Sequence, residues 1–457
     1  MLNKVLVANR GEIAVRIMRA CRELGISTVA VYSEADREAM FAKYADESHF
    51  IGPPPPLQSY LNMDAIIEVA LKTKAEAIHP GYGFLAENDK FSDMVEKNGL
   101  VFIGPTGQNI REMGDKIFSK RTMKSSGVPV VPGTEEGIQD VEKAKDVAHE
   151  IGYPVILKAS GGGGGIGMKI VDNENDLIEA IESTKRVAKS AFGDESVLLE
   201  KYLDEPRHVE YQIIADNKGN VIHVRERECS VQRRHQKLIE ETPSCVMTEE
   251  LREKMGEAAT QAAKAVSYRN AGTVEFMYSK GNFYFLEMNT RLQVEHPITE
   301  MITGVDLAKE QLRVASGLDL QYAQEDITGQ GWAFECRICA EDPENNFFPS
   351  PGKIVEYKEP AGPGIRVDSG VYAGFDVPPF YDSLLSKLIV WGRDRNEAIK
   401  RMKRALWEYE ITGIKTNIPF HEVVLDNEFF VKGDYTTHFI KERNILDEVK
   451  RYLESGK

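Results

Sequence analysis

One stretch constrains the fold more than any other. Residues 273–300 read TVEFMYSKGNFYFLEMNTRLQVEHPITE, two apolar runs around the turn signal Ser279-Lys280-Gly281-Asn282. This predicts a β-hairpin, alternating strands joined by a glycine-containing loop. Side chains alternate between faces along a strand. Leu286, Met288, Leu292 and Val294 then fall on one face, and Glu287, Asn289, Arg291, Gln293 and Glu295 on the other. With a three-residue loop, 280–282, Glu275 lies directly opposite Glu287. Like charges facing each other across a ladder are destabilising unless a cation sits between them. Two carboxylates and an amide on one rigid face suit Mg²⁺, which takes one or two carboxylates together with substrate phosphates. Arg291 offers a permanently charged fork for an anion, and Glu295 is left as a candidate general base. The competing reading is a solvated sheet face, since antiparallel sheets often alternate apolar-in and polar-out. The rest of the chain weighs against it.

At 457 residues the chain should hold roughly three domains. Its net charge, 57 − 72 = −15, speaks against a nucleic-acid partner, so an anionic ligand needs a local concentration of Lys and Arg. The amino-terminal apolar run is too short for a signal peptide. No apolar stretch reaches the about eighteen residues of a membrane span. Five cysteines are no disulfide framework, and a reducing cytoplasm is the expected location. Cys336 and Cys339 form a C-x-x-C in a strand-like run, where positions i and i+3 face opposite ways, so neither zinc nor redox chemistry is expected.

Taken in order, KVLVA (4–8) reads as a buried strand, followed by a helix from about Glu12 to Leu24 and the strand STVAVYS. This βαβ start predicts a parallel α/β domain, without the G-x-G-x-x-G of a dinucleotide site. Residues 79–87, HPGYGFLAE, set an irregular backbone after a strand, at the edge where α/β proteins place ligands; a tight strand-to-helix connection is the alternative. Residues 107–126 read as helical. The strand 154–158 runs into Gly161–Gly165 and then MKIVDN. A run of glycines lets backbone amides approach phosphate. The phosphate-binding G-x-x-x-x-G-K-[ST] fails because Met168 stands where lysine is needed. G-x-G-x-x-G is met by Gly162, Gly164 and Gly167, but a strand follows instead of a helix. A strand–loop–strand flap between Lys158 and Lys169 fits better than a linker. Residues 229–237, CSVQRRHQK, read as a loop whose Arg233, Arg234, His235 and Lys237 are candidates for an anion site. Beyond Gly317 the chain turns β-rich, with Ala333, Glu335, Arg337 and Cys339 on one strand face. Helices near 395–408, 419–425 and 436–442 close a third domain.

Together these segments resemble the biotin carboxylases, the ATP-grasp subunits of acetyl-CoA, propionyl-CoA and pyruvate carboxylases. The resemblance covers roughly residues 1–445. It is carried by ANRGEIAVRI (8–17), HPGYGFLAEN (79–88), MGDK (113–116), KASGGGGG (158–165), EKYL (200–203), ERECSVQRRHQK (226–237), EMNTRLQVEHPITEMITGVDL (287–307), ECRICAEDP (335–343) and SPGKI (350–354). It implies a fold that is α/β and α+β: an ATP-grasp fold with an N-terminal parallel α/β domain and a C-terminal mixed β-rich domain. The implied division is 1–113, 114–330 with a glycine-rich flap at about 131–205, and 331–457.

The resemblance also implies site roles. Lys116, Lys158, the backbone of Gly164 and Gly165, Glu200, Lys201, Tyr202, Leu203, His208, Gln232 and His235 would contact ATP. Glu275, Glu287 and Asn289 would hold Mg²⁺ or Mn²⁺, as two ions. Lys237, Arg291, Gln293 and Val294 would bind bicarbonate, with Glu295 its base. Arg337 would stabilise the biotin enolate, and Tyr82 would lie near the ureido ring. The family's usual arginine after the glycine run is Ile166 here, and its phosphate or flap contact is lost. No A-M-K-M biotin-attachment sequence is present, so biotin is expected on a carrier protein, with carboxyltransferase subunits as further partners and a homodimer as the assembly. The alternatives are a non-catalytic nucleotide-binding module, which replacement of Glu275, Glu287, Lys237 or Arg291 would favour, and another ATP-grasp ligase.

Overall fold

The computed structural model describes residues 1–134, 136–138, 140–159, 168–192, 195–234 and 236–455. Five strands within residues 4–102 form a parallel sheet in the order Glu47–Gly52, Ser27–Ser33, Lys4–Val7, Ala77–His79, Val101–Phe102. Val5, Leu6, Val7, Val29, Ala30 and Val31 are fully buried, as parallel strands covered by helices on both faces require. Helix Gly11–Glu23 buries Ile13, Ile17 and Cys21 at helical spacing against that sheet. It stops at Leu24, and Gly25 follows at φ +72°. Strand order reverses between Lys4–Val7 and Ala77–His79, and ligands of such sheets bind beyond the carboxyl ends at that switch point. Asn9 and residues 80–87 leave from there. Asn9 Nδ2 ties them by donating to the carbonyls of Pro80 (2.6 Å) and Tyr82 (2.8 Å). Gly81, at φ +65°, comes so close that a Cβ there would lie 2.7 Å from Asn9 Nδ2.

The second sheet has eight antiparallel strands. Their order is Asn282–Asn289, Asn270–Ser279, Arg207–Ala215, Val221–Arg233, Gln236–Thr242, Trp332–Cys339, Leu384–Gly392, Ile365–Ser369. The expected hairpin is its first pair, with a different turn. The loop is Lys280-Gly281 alone, at φ +47° and +86°, the two positive values of a type I′ turn. Pairing starts at Ser279 with Asn282 and shifts between Glu275 and Phe276. One extra residue, Leu286, makes a β-bulge, and the bulge brings Glu275 opposite Glu287 after all. It also turns Leu286 outward, 43% exposed, instead of onto the core face. The strand ends at Asn289, so the alternation expected through residue 295 does not continue. Residues 290–295 loop into helix His296–Thr303, and Leu292, Gln293 and Glu295 are all buried in that turn.

Three further expectations change. Residues 107–126 are two helices, Gly107–Gly114 and Lys116–Ser125. Asp115 Oδ1 accepts from the amides of Ile117 and Phe118, starting a new helix by capping it. Residues 229–237 are not a loop, because strands Val221–Arg233 and Gln236–Thr242 run through them. Helices Glu428–Lys432 and Ile445–Glu454 add to those expected at the carboxyl end; Ile445 and Val449 pack the second one inward.

Strand Val155–Ala159 pairs antiparallel with Met168–Val171 and Val197–Lys201 in a separate three-stranded sheet. The two strands flanking the glycine run are as expected, while the run itself, Gly161–Gly165, and Ile166 lie outside the described residues. The eight-stranded sheet crosses residue 330 unbroken, so Arg337 shares it with Glu275 and Glu287. All five cysteines are free, and Cys336 and Cys339 are buried. Among the described residues no helix is long and apolar enough to cross a membrane.

Candidate active site

The site is built on a row of side chains crossing the sheet. Glu275 is the register partner of Glu287 on one side and of Glu210 on the other, and Glu210 is that of Arg227. Arg227 is fully buried and spends its guanidinium on Glu210 (2.6 Å), Gln212 (2.9 Å), Thr299 (3.1 Å) and Thr273 (3.1 Å). Lys237 reaches over the row. Its Nζ donates to Glu210 (2.6 Å), Glu275 (2.8 Å) and Glu295 (2.7 Å). Burial opposes the lysine charge, but these three carboxylates hold its pKa well above the ordinary value.

Glu295 is fully buried and lies between two cations, Lys237 and the Nη2 of Arg337 at 2.9 Å. Burial raises its pKa, yet Lys237, Arg337 and Arg227 outweigh that and keep it ionised below the usual carboxylate range. Arg337 Nε also donates to Glu240 at 2.6 Å. His208 Nε2 is 3.0 Å from Glu275 Oε2. Burial would lower this imidazole; Glu275 overcomes it and pushes the pKa up to about 9.

The metal expectation can be weighed on charge. His208, Glu210 and Glu275 place three donor atoms within 4.8 Å of one another, but Lys237 already neutralises two of them. Glu287 differs: it is exposed and no hydrogen-bond donor reaches it among the described residues, while burial and then Glu275 raise its pKa. An unbalanced carboxylate facing a second one, with Asn289 donating to Glu275 at 2.8 Å, fits a divalent cation between strands.

Arg291 is anchored by three neighbouring side chains. Its Nε pairs with Glu87 (2.8 Å), Nη1 with Gln293 (3.0 Å) and Nη2 with Asn289 (3.1 Å), so the whole fork is fixed by side chains. Arg291, Val294, Arg337 and Tyr82 line a cavity of about 530 Å³ that opens at the switch point beside Asn9, Arg10 and Gly83. The Tyr82 hydroxyl donates to Glu12, and Lys387 donates to the Val294 carbonyl at 2.9 Å.

Glu200 accepts from Lys120 (2.7 Å) and Lys158 (2.6 Å). Lys116 is exposed at the start of its helix. Tyr202 and Leu203 are half-buried just beyond the Glu200 strand. Lys201 turns its ammonium to the carbonyls of Gly152 and Tyr153 at 2.8 and 3.3 Å, leaving only its backbone for a ligand. The Gln232 amide contacts His208 Nδ1 at 3.1 Å. Gly164, Gly165 and His235 lie outside the described residues. The cations of 233–237 do not gather: Lys237 enters the site, Arg234 is exposed, and Arg233 stacks over Phe347 beside Glu341.

Sequence reasoning missed Glu210, Arg227, Glu240 and the pairing partner Glu87. The alternation of His208, Glu210 and Gln212 along one strand face was the available signal; nothing in the sequence pointed to Glu240.

Three family descriptions match the chain. They are biotin carboxylase, N-terminal domain, over residues 1–110; carbamoyl-phosphate synthase L chain, ATP binding domain, over 115–323; and biotin carboxylase C-terminal domain, over 335–442. A pyruvate carboxylase subunit of Methanothermobacter thermautotrophicus is 62% identical, over 99% of this chain and 93% of its own. Biotin carboxylase 1 of Bacillus subtilis is 54% identical, over 98% of this chain and 100% of its own. Among solved structures, the biotin carboxylase domain dimer of Hydrogenobacter thermophilus 2-oxoglutarate carboxylase, in complex with MgADP, ADP and bicarbonate, superposes with a TM-score of 0.88 at 52% identity over 98% of either chain. Similarity of this extent, end to end, settles the kinship: the chain belongs to the biotin carboxylases, ATP- and bicarbonate-dependent ligases that perform the first half-reaction of biotin-dependent carboxylases.

Proposed function

We propose that Glu295, Lys237, Arg337 and the Glu275–Glu287 pair carry the two chemical steps of biotin carboxylation in this chain. The observation that carries the assignment is Glu295, one buried carboxylate bridging Lys237 and Arg337. It ties the group suited to activating bicarbonate to the group suited to stabilising biotin's enolate.

Glu295 removes the bicarbonate proton, and the oxyanion attacks the γ-phosphorus of ATP as ADP leaves, giving carboxyphosphate. Phosphoryl transfer of this kind needs mostly positioning and charge neutralisation. Lys116 and Lys158 are placed for the nucleotide, and a divalent metal held by Glu275, Glu287 and Asn289 would neutralise phosphate oxygens. Carboxyphosphate splits into CO₂ and phosphate, and phosphate takes the proton of the ureido nitrogen. Arg337 holds the resulting enolate while its nitrogen captures CO₂. Arg291 and Gln293 orient the bicarbonate, with Val294 at the wall, and Tyr82 faces biotin in the shared cavity. We assign Mg²⁺ or Mn²⁺ as the metal, in two sites.

Biotin arrives on a carrier protein, a reading supported by the near-complete coverage of a relative that is itself one component of a multi-chain carboxylase. The carboxyltransferase partner selects the final acceptor, acetyl-CoA or a 2-oxo acid, and the chain pairs as a homodimer in the cytoplasm. We keep the division at 1–113, 114–330 and 331–457, with the flap within 131–205; the flap is supported by an apolar core of its own around Leu157, whereas the core around Ile17 also takes in Ile214, Leu307 and Leu385. The decisive test is ATP hydrolysis by the purified protein with and without bicarbonate and free biotin. Hydrolysis should require bicarbonate and rise with biotin; turnover indifferent to bicarbonate would overturn the assignment.

A further inference from the structure

Behind Arg337 lies a pair of carboxylates that the steps above leave unused. Glu240 and Glu335 are register partners on neighbouring antiparallel strands, and both are fully buried. Opposite residues on such a ladder have Cβ atoms about 4.5–5.5 Å apart, close enough for the two carboxyl groups to meet. Glu240 Oε1 accepts from Arg337 Nε at 2.6 Å. Its Oε2 and both Glu335 oxygens are buried without a donor. Two ionised groups there would leave three buried acceptors unsatisfied and two like charges in contact, both costly. A single shared proton removes the repulsion and engages two of these three oxygens.

We propose that Glu335 is the protonated partner and donates a hydrogen bond to Glu240, so that an acid–carboxylate pair positions Arg337. This rests on the role given to Arg337 above. The groups facing the pair are consistent with it. Arg337 comes from the Glu335 strand and Lys237 from the Glu240 strand; Glu295 comes from the loop before helix His296–Thr303, and Cys229 and Cys336 lie to the sides. Tyr82 approaches from the switch-point segment, bonded to Glu12. Lys387, on the far strand, is the cation that most strongly opposes the rise of Glu335, but it is engaged by the Val294 carbonyl at 2.9 Å and by Glu12 at 3.2 Å. Burial pushes both carboxyls upward, Glu335 well above its ordinary value and Glu240 to about 7, where Arg337 restrains it. Arg337 therefore decides which partner keeps the charge.

One negative charge, not two, then stands behind Arg337. Loss of the shared proton at high pH adds a second and draws the guanidinium onto Glu240, away from an enolate. Carboxybiotin formed per ATP cleaved should fall on the alkaline side in wild-type protein. E335Q keeps a donor but cannot ionise; it should stay near wild type at neutral pH and lose that alkaline fall. E335L removes the donor and should lose carboxybiotin formation by roughly 5- to 100-fold, with bicarbonate-dependent ATP cleavage changed far less. Infrared difference spectra should show a buried carboxylic-acid band in wild type that is absent from E335Q. An alkaline fall that persists in E335Q, equal losses in E335Q and E335L, or no acid band assignable to Glu335 would each overturn the proposal. If neither variant folds, a wild-type ratio flat with pH would overturn it. Wild-type protein that fails to couple bicarbonate to ATP would sink the functional reading instead, and the infrared comparison would still decide who holds the proton.

Discussion

Arg337→Ala separates the two half-reactions, and the structure sets how cleanly. Arg337 makes two charge-assisted bonds, to Glu240 and Glu295, and both partner side chains are fully shielded from solvent. Removing one partner of a buried pair typically costs about 3–5 kcal/mol. Glu295 keeps Lys237 at 2.7 Å, so most of the loss falls on Glu240, which is left with only the hydrogen bond proposed from Glu335. A carboxyl whose folded pKa is raised is destabilising above its unfolded value, and the deficit grows as pH rises through the folded pKa. Glu240 already titrates at about 7, raised from 4.5; without Arg337 it rises further. The variant should therefore be closest to wild-type stability near pH 6 and furthest from it near pH 8.

For catalysis, losing one donor to a developing anion costs about 10²–10³ in rate. Carboxybiotin formation should fall by that much. ATP cleavage should change far less, because Lys237 still holds Glu295 ionised when Arg337 is removed. The assay measures both activities side by side at matched folded fraction, with Arg337→Lys as the variant that keeps a charge and Arg291→Ala as the one that should damage both halves. An equal loss of both activities in Arg337→Ala, with the fold intact, would refute the assigned role. A stability deficit independent of pH would refute the part given to Glu240.

Other consequences follow from single side chains. Glu287→Gln should remove most activity at ordinary Mg²⁺ while leaving the melting temperature unchanged or higher, because it deletes a repulsion with Glu275; full activity would reject the ligand role. Arg227→Met strips Glu210 of a buried partner and should lower unfolding free energy by about 3–5 kcal/mol, read by denaturant titration; an effect below about 1 kcal/mol would show the buried network to be dispensable. His421 donates Nε2–H to the Arg337 carbonyl at 2.8 Å and buries an unpaired Nδ1, which drives its pKa down to about 4. A depressed histidine costs stability as pH falls from 6.5 toward 4, on the order of 3 kcal/mol in full. His421→Gln should flatten that slope in pH-dependent unfolding curves; an unchanged slope would place the acid sensitivity elsewhere.

The hairpin at 270–289 illustrates how far the sequence reaches. Alternation and the Ser279-Lys280-Gly281-Asn282 signal are local properties, so two strands and a turn between them were legible. Glu275 faces Glu287 as expected only because the bulge offsets a loop one residue shorter than expected. That bulge, at Leu286, was not legible. Whether a hairpin turns in two residues or three depends on strand twist and on what each face must bury, and both are set by neighbouring strands. The expected continuation of alternation to residue 295 failed for the same reason, since helix His296–Thr303 and the strands behind it pull Gln293 and Glu295 inward.

By itself the sequence determined what local chemistry can determine. It placed the parallel start and the irregular segment at 79–87, and it put Glu287 with Asn289 and opposite Glu275, because spacing along one strand or turn already states which side chains share a face; the nucleotide and bicarbonate roles came from the resemblance to a family. Tertiary structure decided the pairings. Lys237 meets Glu210, Glu275 and Glu295 from three separate segments; Arg291 is locked by Glu87, over two hundred residues away in sequence; and Glu240 opposes Glu335 only because strand Trp332–Cys339 joins the sheet beside Gln236–Thr242. Charge acts through space and is magnified by burial, so which carboxylate is a base, which holds a metal and which keeps a proton is a property of the folded neighbourhood. No order of residues along a chain contains it until the strands are laid side by side.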